Sequence, residues 1–249
     1  MIKKLTLLLI ITLFSFSIAK SQNWGGGIDG ERFNWGFSFQ YISSELKITK
    51  NSNWRKPYYD QDLGDYVTDT LSAISSPTSV GFGIGFVVNS SIHKNVDVRF
   101  TPTLVFNDRL VDYAYVVPGT YNPSNPIVQK KVQATMVDFP VGLKLKSDRL
   151  MNVRAYMLGG LKYSIDLASS KKTNDESAAP VDKLLKNKKS FLSYEAGLGF
   201  DIYFEWFKMS PEVKVSYSFK DILKHEPQPY ANPIDKAKLR HFTFSLFFE

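Results

Sequence analysis

Phe33-Asn34-Trp35-Gly36-Phe37-Ser38-Phe39-Gln40-Tyr41 carries an aromatic ring at every odd position and a small or polar residue at every even one. Neighbouring side chains of a strand point to opposite faces, so this stretch is a strand with one wholly apolar face. The same period of two runs down the chain. It returns over 81–88 (Phe82, Ile84, Phe86, Val88 against Gly81, Gly83, Gly85), 96–106, 137–145 and 153–167. It continues over 190–205, 209–219 and 242–248, the last with Phe242, Phe244, Leu246 and Phe248 against Thr243 and Ser245. Helical spacing is scarce throughout.

These segments make eight strands, most of them near or beyond the ~9–11 residues that a tilted strand needs to cross a bilayer. Strands of soluble proteins average ~5–6 residues. The connections alternate strictly between short (89–95, 146–152, 205–208) and long (44–78, 107–130, 169–190, 221–237). Short turns on one side of a membrane and long loops on the other are the habit of outer-membrane barrels. The expected fold is therefore all-β: an eight-stranded antiparallel up-and-down transmembrane β-barrel over residues 32–249, with long extracellular loops and short periplasmic turns. Within the loops, 110–117 and 127–134 still alternate weakly and predict a hairpin whose tip is Asn122-Pro123-Ser124-Asn125-Pro126. Pro102, Pro140 and Pro211 fall inside proposed strands, where each removes a ladder donor, and are expected at bulges or rims.

The chain has 249 residues, no cysteine and a formal charge of +7. Lack of Cys excludes a disulfide scaffold, a thiolate metal site, a Cys nucleophile and a lipidated N-terminal Cys. Residues 1–21 (MIKKLTLLLIITLFSFSIAKS) have the basic start, apolar middle and small-residue end of a secretory signal peptide. The segment 22–31 then reads as a periplasmic N-terminal stretch. Removal of the leader takes three lysines and leaves +4, a weak argument for nucleic acid.

Alternation assigns one face to lipid and the other to the lumen. The lumen set contains Asp97, Arg99, Asp138, Lys144, Arg154, Lys162, Asp166, Glu195, Asp201, Glu205, Glu212 and Lys214. Both signs are present in near balance, so the interior can neutralise itself. An eight-stranded barrel is only wide enough to be filled by side chains. A plugged polar core is expected, not a water channel.

The sequence offers little chemistry. His93, His225 and His241 have no metal-ligand spacing, and no cofactor or small-molecule substrate is expected. His241 shares a face with Thr243, which keeps open a lipid hydrolase of the Ser-His-acid type; a lumen-filling His is the plainer reading. Loop 169–190 carries Lys171, Lys172, Lys183, Lys186, Lys188 and Lys189, a candidate contact for anionic lipopolysaccharide. Loop 44–78 carries Trp54, Tyr58, Tyr59 and Tyr66, a candidate protein-contact surface.

Four stretches then point to a family: Val137-Asp-Phe-Pro-Val-Gly-Leu-Lys-Leu-Lys146, Gly159-Gly-Leu-Lys-Tyr-Ser-Ile-Asp-Leu-Ala168, Tyr194-Glu-Ala-Gly-Leu-Gly-Phe-Asp-Ile-Tyr203, and Phe207-Lys-Met-Ser-Pro-Glu-Val-Lys-Val-Ser216 leading into Phe219-Lys-Asp-Ile-Leu223. In this order they resemble the PorT family of the Bacteroidetes, from about residue 31 to the end. The resemblance implies an outer-membrane barrel required by the type IX secretion system, with other secretion components as partners and no catalytic residues. A barrel of the same lineage with a structural or adhesive role is the other reading.

Overall fold

The computed structural model describes residues 32–116, 126–167 and 178–249. The expected leader and the segment 22–31 lie outside them, as do Asn122–Asn125 of the hairpin tip, Lys171 and Lys172. In chain order the strands are β1 (Phe33–Lys50), β2 (Tyr59–Asp60), β3 (Asp65–Tyr66), β4 (Leu71–Ser75), β5 (Ser79–His93), β6 (Val96–Phe100) and β7 (Thr103–Phe106). They continue as β8 (Arg109–Tyr115), β9 (Ile127–Val132), β10 (Thr135–Lys146), β11 (Val153–Asp166), β12 (Ser190–Tyr203), β13 (Lys208–Ser218) and β14 (Ile234–Phe248).

β6 and β7 form one stave, broken at Thr101-Pro102. Each stave pairs antiparallel with its neighbours, and β1 pairs with both β5 and β14, so a ring of eight closes without an edge. Closure is what hydrocarbon demands, because no water is there to satisfy an unpaired backbone group. β1 fixes the register: Phe37 lies opposite Phe248 on one side and Phe86 on the other. From Phe33 to Tyr41 the outward side chains stay apolar, then give way to Ser43, Glu45 and Lys47. Ten residues of tilted strand rise ~25 Å, the height of an outer-membrane apolar band.

The prolines share out the ladder damage. Pro102 sits in the break between β6 and β7, and Pro140 lies inside β10 opposite it, where its carbonyl accepts the Thr101 N–H at 3.2 Å. One lesion thus accommodates two prolines, and Pro140 is at neither a bulge nor a rim. Pro211 lies near the short-turn end, where the β12–β13 ladder lapses while β13 stays in register with β14.

Two expectations need correction. β1 runs to Lys50 and β14 begins at Ile234, so the barrel wall reaches well past the expected ends at 41 and 242. The long loops are also folded: β4, β8 and β9 form a three-stranded sheet, with the hairpin foreseen near 110–134 as its second and third members.

Candidate functional site

The lumen is the place where the chain concentrates chemical groups. Its wall is lined by even positions of β1, β10, β11 and β13 and odd positions of β5, β6, β12 and β14. Near the short-turn end, Arg99 Nη1 lies 2.8 Å from Glu212 Oε2, and the Tyr156 hydroxyl donates to the same oxygen at 3.0 Å. Arg99 Nε donates to Asn89 Oδ1 at 2.8 Å, and its guanidinium lies 4.6 Å from the Phe247 ring centre. Beside it Lys144 Nζ donates to both oxygens of Asp201 at 2.7 and 2.8 Å, and Ser210 Oγ donates to Asp201 at 2.6 Å. Lys208 pairs with Glu249, which Asn89 also contacts. Lys146 pairs with Asp97 at 2.6 Å, and Arg154 is buried in register with Asp201.

A second tier lies deeper. Lys214 bridges Glu195 at 3.3 Å and Glu212 at 3.8 Å, while Lys162 contacts Asp138 at 3.1 Å and His241 Nδ1 at 3.2 Å. These groups surround a cavity of about 10 Å³, room for about one water molecule. His241 is buried, and its hydrogen-bond partner among the described residues is Lys162 rather than a serine or a carboxylate. Lys144 and Glu212 are 0% and 1% exposed, so these charges have left water and depend on one another.

One of the expected lumen residues sits elsewhere, and another lies at the upper end of the wall. Glu205 is exposed in the turn after β12, because the strand ends at Tyr203. Asp166 is half-buried at the loop end, where Asn187 Nδ2 donates to it at 3.1 Å. Sequence reading missed Asn89, Tyr156, Lys208, Glu249 and Arg109. Strict alternation beyond the assumed strand ends would have found Lys208 and Arg109; Arg109 is fully enclosed and donates to Met136 Sδ at 2.8 Å.

Small residues make room for this packing. A Cβ added to Gly199 would lie 2.4 Å from the Tyr156 ring carbon and hydroxyl, and 2.8 Å from the Pro211 carbonyl. Gly199→Ala should therefore displace Tyr156 from Glu212 and destabilise the barrel by about 1–3 kcal/mol. The midpoint of urea unfolding in detergent micelles measures this; an unchanged midpoint would contradict it.

Above the ionic tiers the interior becomes apolar. Ile42, Leu46 and Leu239 from the wall meet Leu71 and Ile74 of β4, Val111 and Tyr113 of β8, Val132 of β9, and Leu185, Ile222, Leu223 and Tyr230 of the remaining loops. The Tyr113 hydroxyl donates to the Tyr230 carbonyl at 2.6 Å, with the two rings edge-on at 5.2 Å. Lys130 Nζ donates to the Val181 carbonyl at 2.7 Å. The loops thus build a cap with a core like that of a soluble domain.

The loop residues singled out from sequence divide accordingly. Trp54 packs against the cap core under Lys50 Nζ, 4.0 Å from the ring centre, and Tyr58 is half-buried. Tyr59 and Tyr66 are exposed and stack edge-on at 5.2 Å, so they alone of these aromatics offer a free face. Lys186 pairs with Glu226 at 2.9 Å and Lys188 with Asp221 at 2.7 Å, which ties loop 178–189 to loop 219–233. Lys189 is exposed.

Asp221 acts as the latch of this tie. Burial pushes its carboxyl up, but the Ala237 N–H, Lys188 and the Leu223 N–H together hold it below the ordinary carboxylate range. A depressed value in the folded state means that the latch stabilises the cap above about pH 4 and fades as pH falls through the folded value. Hydrogen exchange at the Ala237 and Leu223 amides should accelerate at pH 3 relative to pH 6 beyond the intrinsic change. Lys188→Ala should move the onset to higher pH; an onset that does not move would remove Lys188 from the latch.

Comparison with known proteins places this architecture. A family model described as outer membrane protein beta-barrel domain matches residues 13–224. Similar solved structures include the outer membrane protein OprG from Pseudomonas aeruginosa (16% identity, 88% of this chain and 96% of that chain covered, TM-score 0.41). Neisserial surface protein A matches at 11% identity, covering 87% of this chain and 98% of its own, TM-score 0.38. The attachment invasion locus protein Ail of Yersinia pestis, in complex with the heparin analogue sucrose octasulfate, matches at 11% identity, 88% and 99% coverage, TM-score 0.35. No curated protein matches the chain. With most of the chain covered by the family model, the protein belongs to the outer membrane protein beta-barrel domain family.

Proposed function

We propose that this barrel is an accessory component of type IX protein secretion in the outer membrane and works by contact with other proteins. The filled lumen carries the contact part of this reading. Among the described residues, ion pairs fill the lower lumen and an apolar core fills the cap, which favours a molecule that works through its surface over one that passes a solute. The secretion part rests on the likeness of 137–146, 159–168, 194–203 and 207–223 to the PorT family. A deletion strain tests it. Loss of secreted cargo with an intact envelope, restored by the wild-type chain, is the expected result. Normal secretion in the deletion strain would reject the proposal and leave a structural or adhesive barrel.

A further inference from the structure

We propose that the outer wall at the β1–β14 seam, just above the apolar band, binds the phosphate groups of a phosphorylated lipid headgroup. The register puts Phe244 beside Tyr41, Arg240 beside Glu45, Lys238 beside Lys47 and Lys236 beside Thr49, all facing out from the ring. Phe242 and Phe244 are exposed to lipid on this wall. Arg240 precedes Phe242 by two residues and Lys238 by four, so their backbones stand ~5 and ~10 Å higher on a tilted strand. The polar layer of a bilayer extends ~5–8 Å beyond the hydrocarbon, and lysine stems can bend down into it.

The charges at this level do not cancel. Glu45 serves both Lys47, at 2.6 Å, and Arg240, while Lys236 reaches Asp235 only at 3.7 Å. Lys238 makes no ion pair among the described residues. Two carboxylates thus face four cations, and Lys47 and Lys238 sit directly across from each other in the ladder. Like charges in that position repel unless an anion lies between them. The seam is continuous with the lipid-facing wall below, which makes a membrane lipid the occupant that the geometry favours over a free anion. With the long loops outside the cell, that lipid belongs to the outer leaflet, where lipid A carries phosphates.

The test uses the full barrel in non-ionic detergent with fluorescent diphosphoryl lipid A as the probe. The wild type should bind it, should bind dephosphorylated lipid A far less, and should not release it to equimolar inorganic phosphate. Lys47→Gln/Lys238→Gln/Arg240→Gln should weaken binding on the order of 100-fold, taking about fivefold for each cation near a membrane surface. Lys47→Arg/Lys238→Arg, which keeps the charge, should retain it. Equal binding of phosphorylated and dephosphorylated lipid A by the wild type would overturn the proposal without any variant. So would equal binding by the triple variant, or full displacement by phosphate. Mobility of unheated samples in dodecyl sulfate gels verifies folding, and Lys238→Gln alone, expected to lose several-fold, replaces the triple variant if that one does not fold.

Discussion

Glu212→Ala should destabilise the barrel by about 3–5 kcal/mol, because it strands a buried Arg99 without its carboxylate. The two side chains are 2.8 Å apart and 2% and 0% exposed, so water cannot replace the lost partner. Lys214 would lose the same carboxylate, while Tyr156 would lose its acceptor. Breaking one member of an enclosed pair costs far more than the pair contributes, since the desolvation of the remaining charge is left unopposed. Arg99→Met with Glu212→Leu should therefore recover most of the loss. Equilibrium unfolding in urea, with the barrel in detergent micelles, compares the three proteins. A Glu212→Ala protein as stable as the wild type would mean that the tiers are not electrostatically coupled.

Tyr113→Ala should loosen the cap and spare the barrel. Tyr113 is fully buried, packs edge-on against Tyr230 and donates to its carbonyl. Removing a buried aromatic ring costs about 3–5 kcal/mol, here drawn from the loop core and not from the membrane ladder. The expected result is rapid cleavage by external protease within 51–78 or 107–134, with the unheated gel mobility of the folded barrel retained. Loss of that mobility would show that cap and barrel unfold as one unit.

The staves were readable because lipid outside and charge inside impose a strict period of two. From Phe33 to Tyr41 the aromatic residues are the outward ones, and Ser38 and Gln40 point in. Past Tyr41 the alternation survives with its faces exchanged: Ile42 and Leu46 point in, Glu45 and Lys47 point out. Lipid has given way to water outside, and the cap core has replaced the ion pairs inside. β14 shows the same inversion, with Ala237 and Leu239 inward and Lys236 and Lys238 outward before Phe242 resumes the lipid-facing set. A reading that looks for one constant apolar face ends each strand near the inversion, which is why 44–50 and 234–237 were expected as loop.

The charged lumen was legible as a face but not as pairs. Which cation meets which carboxylate depends on the stagger of the staves around the ring, as with Arg99 and Glu212, which are 113 residues apart. Glu205 misled because the alternation carries formally one step past Tyr203, where the chain has already turned. Of the cap only the β8–β9 hairpin was legible; its core was hidden because burial there depends on the short β4 and on Leu185, Ile222 and Tyr230 from distant loops.

Single-channel recording from the purified barrel in a planar bilayer tests the filled interior most directly. Paired charges, a void of about 10 Å³ and an apolar cap predict a silent membrane at voltages of either sign. A steady conductance from the intact protein, passing ions of either sign, would contradict the sealed lumen.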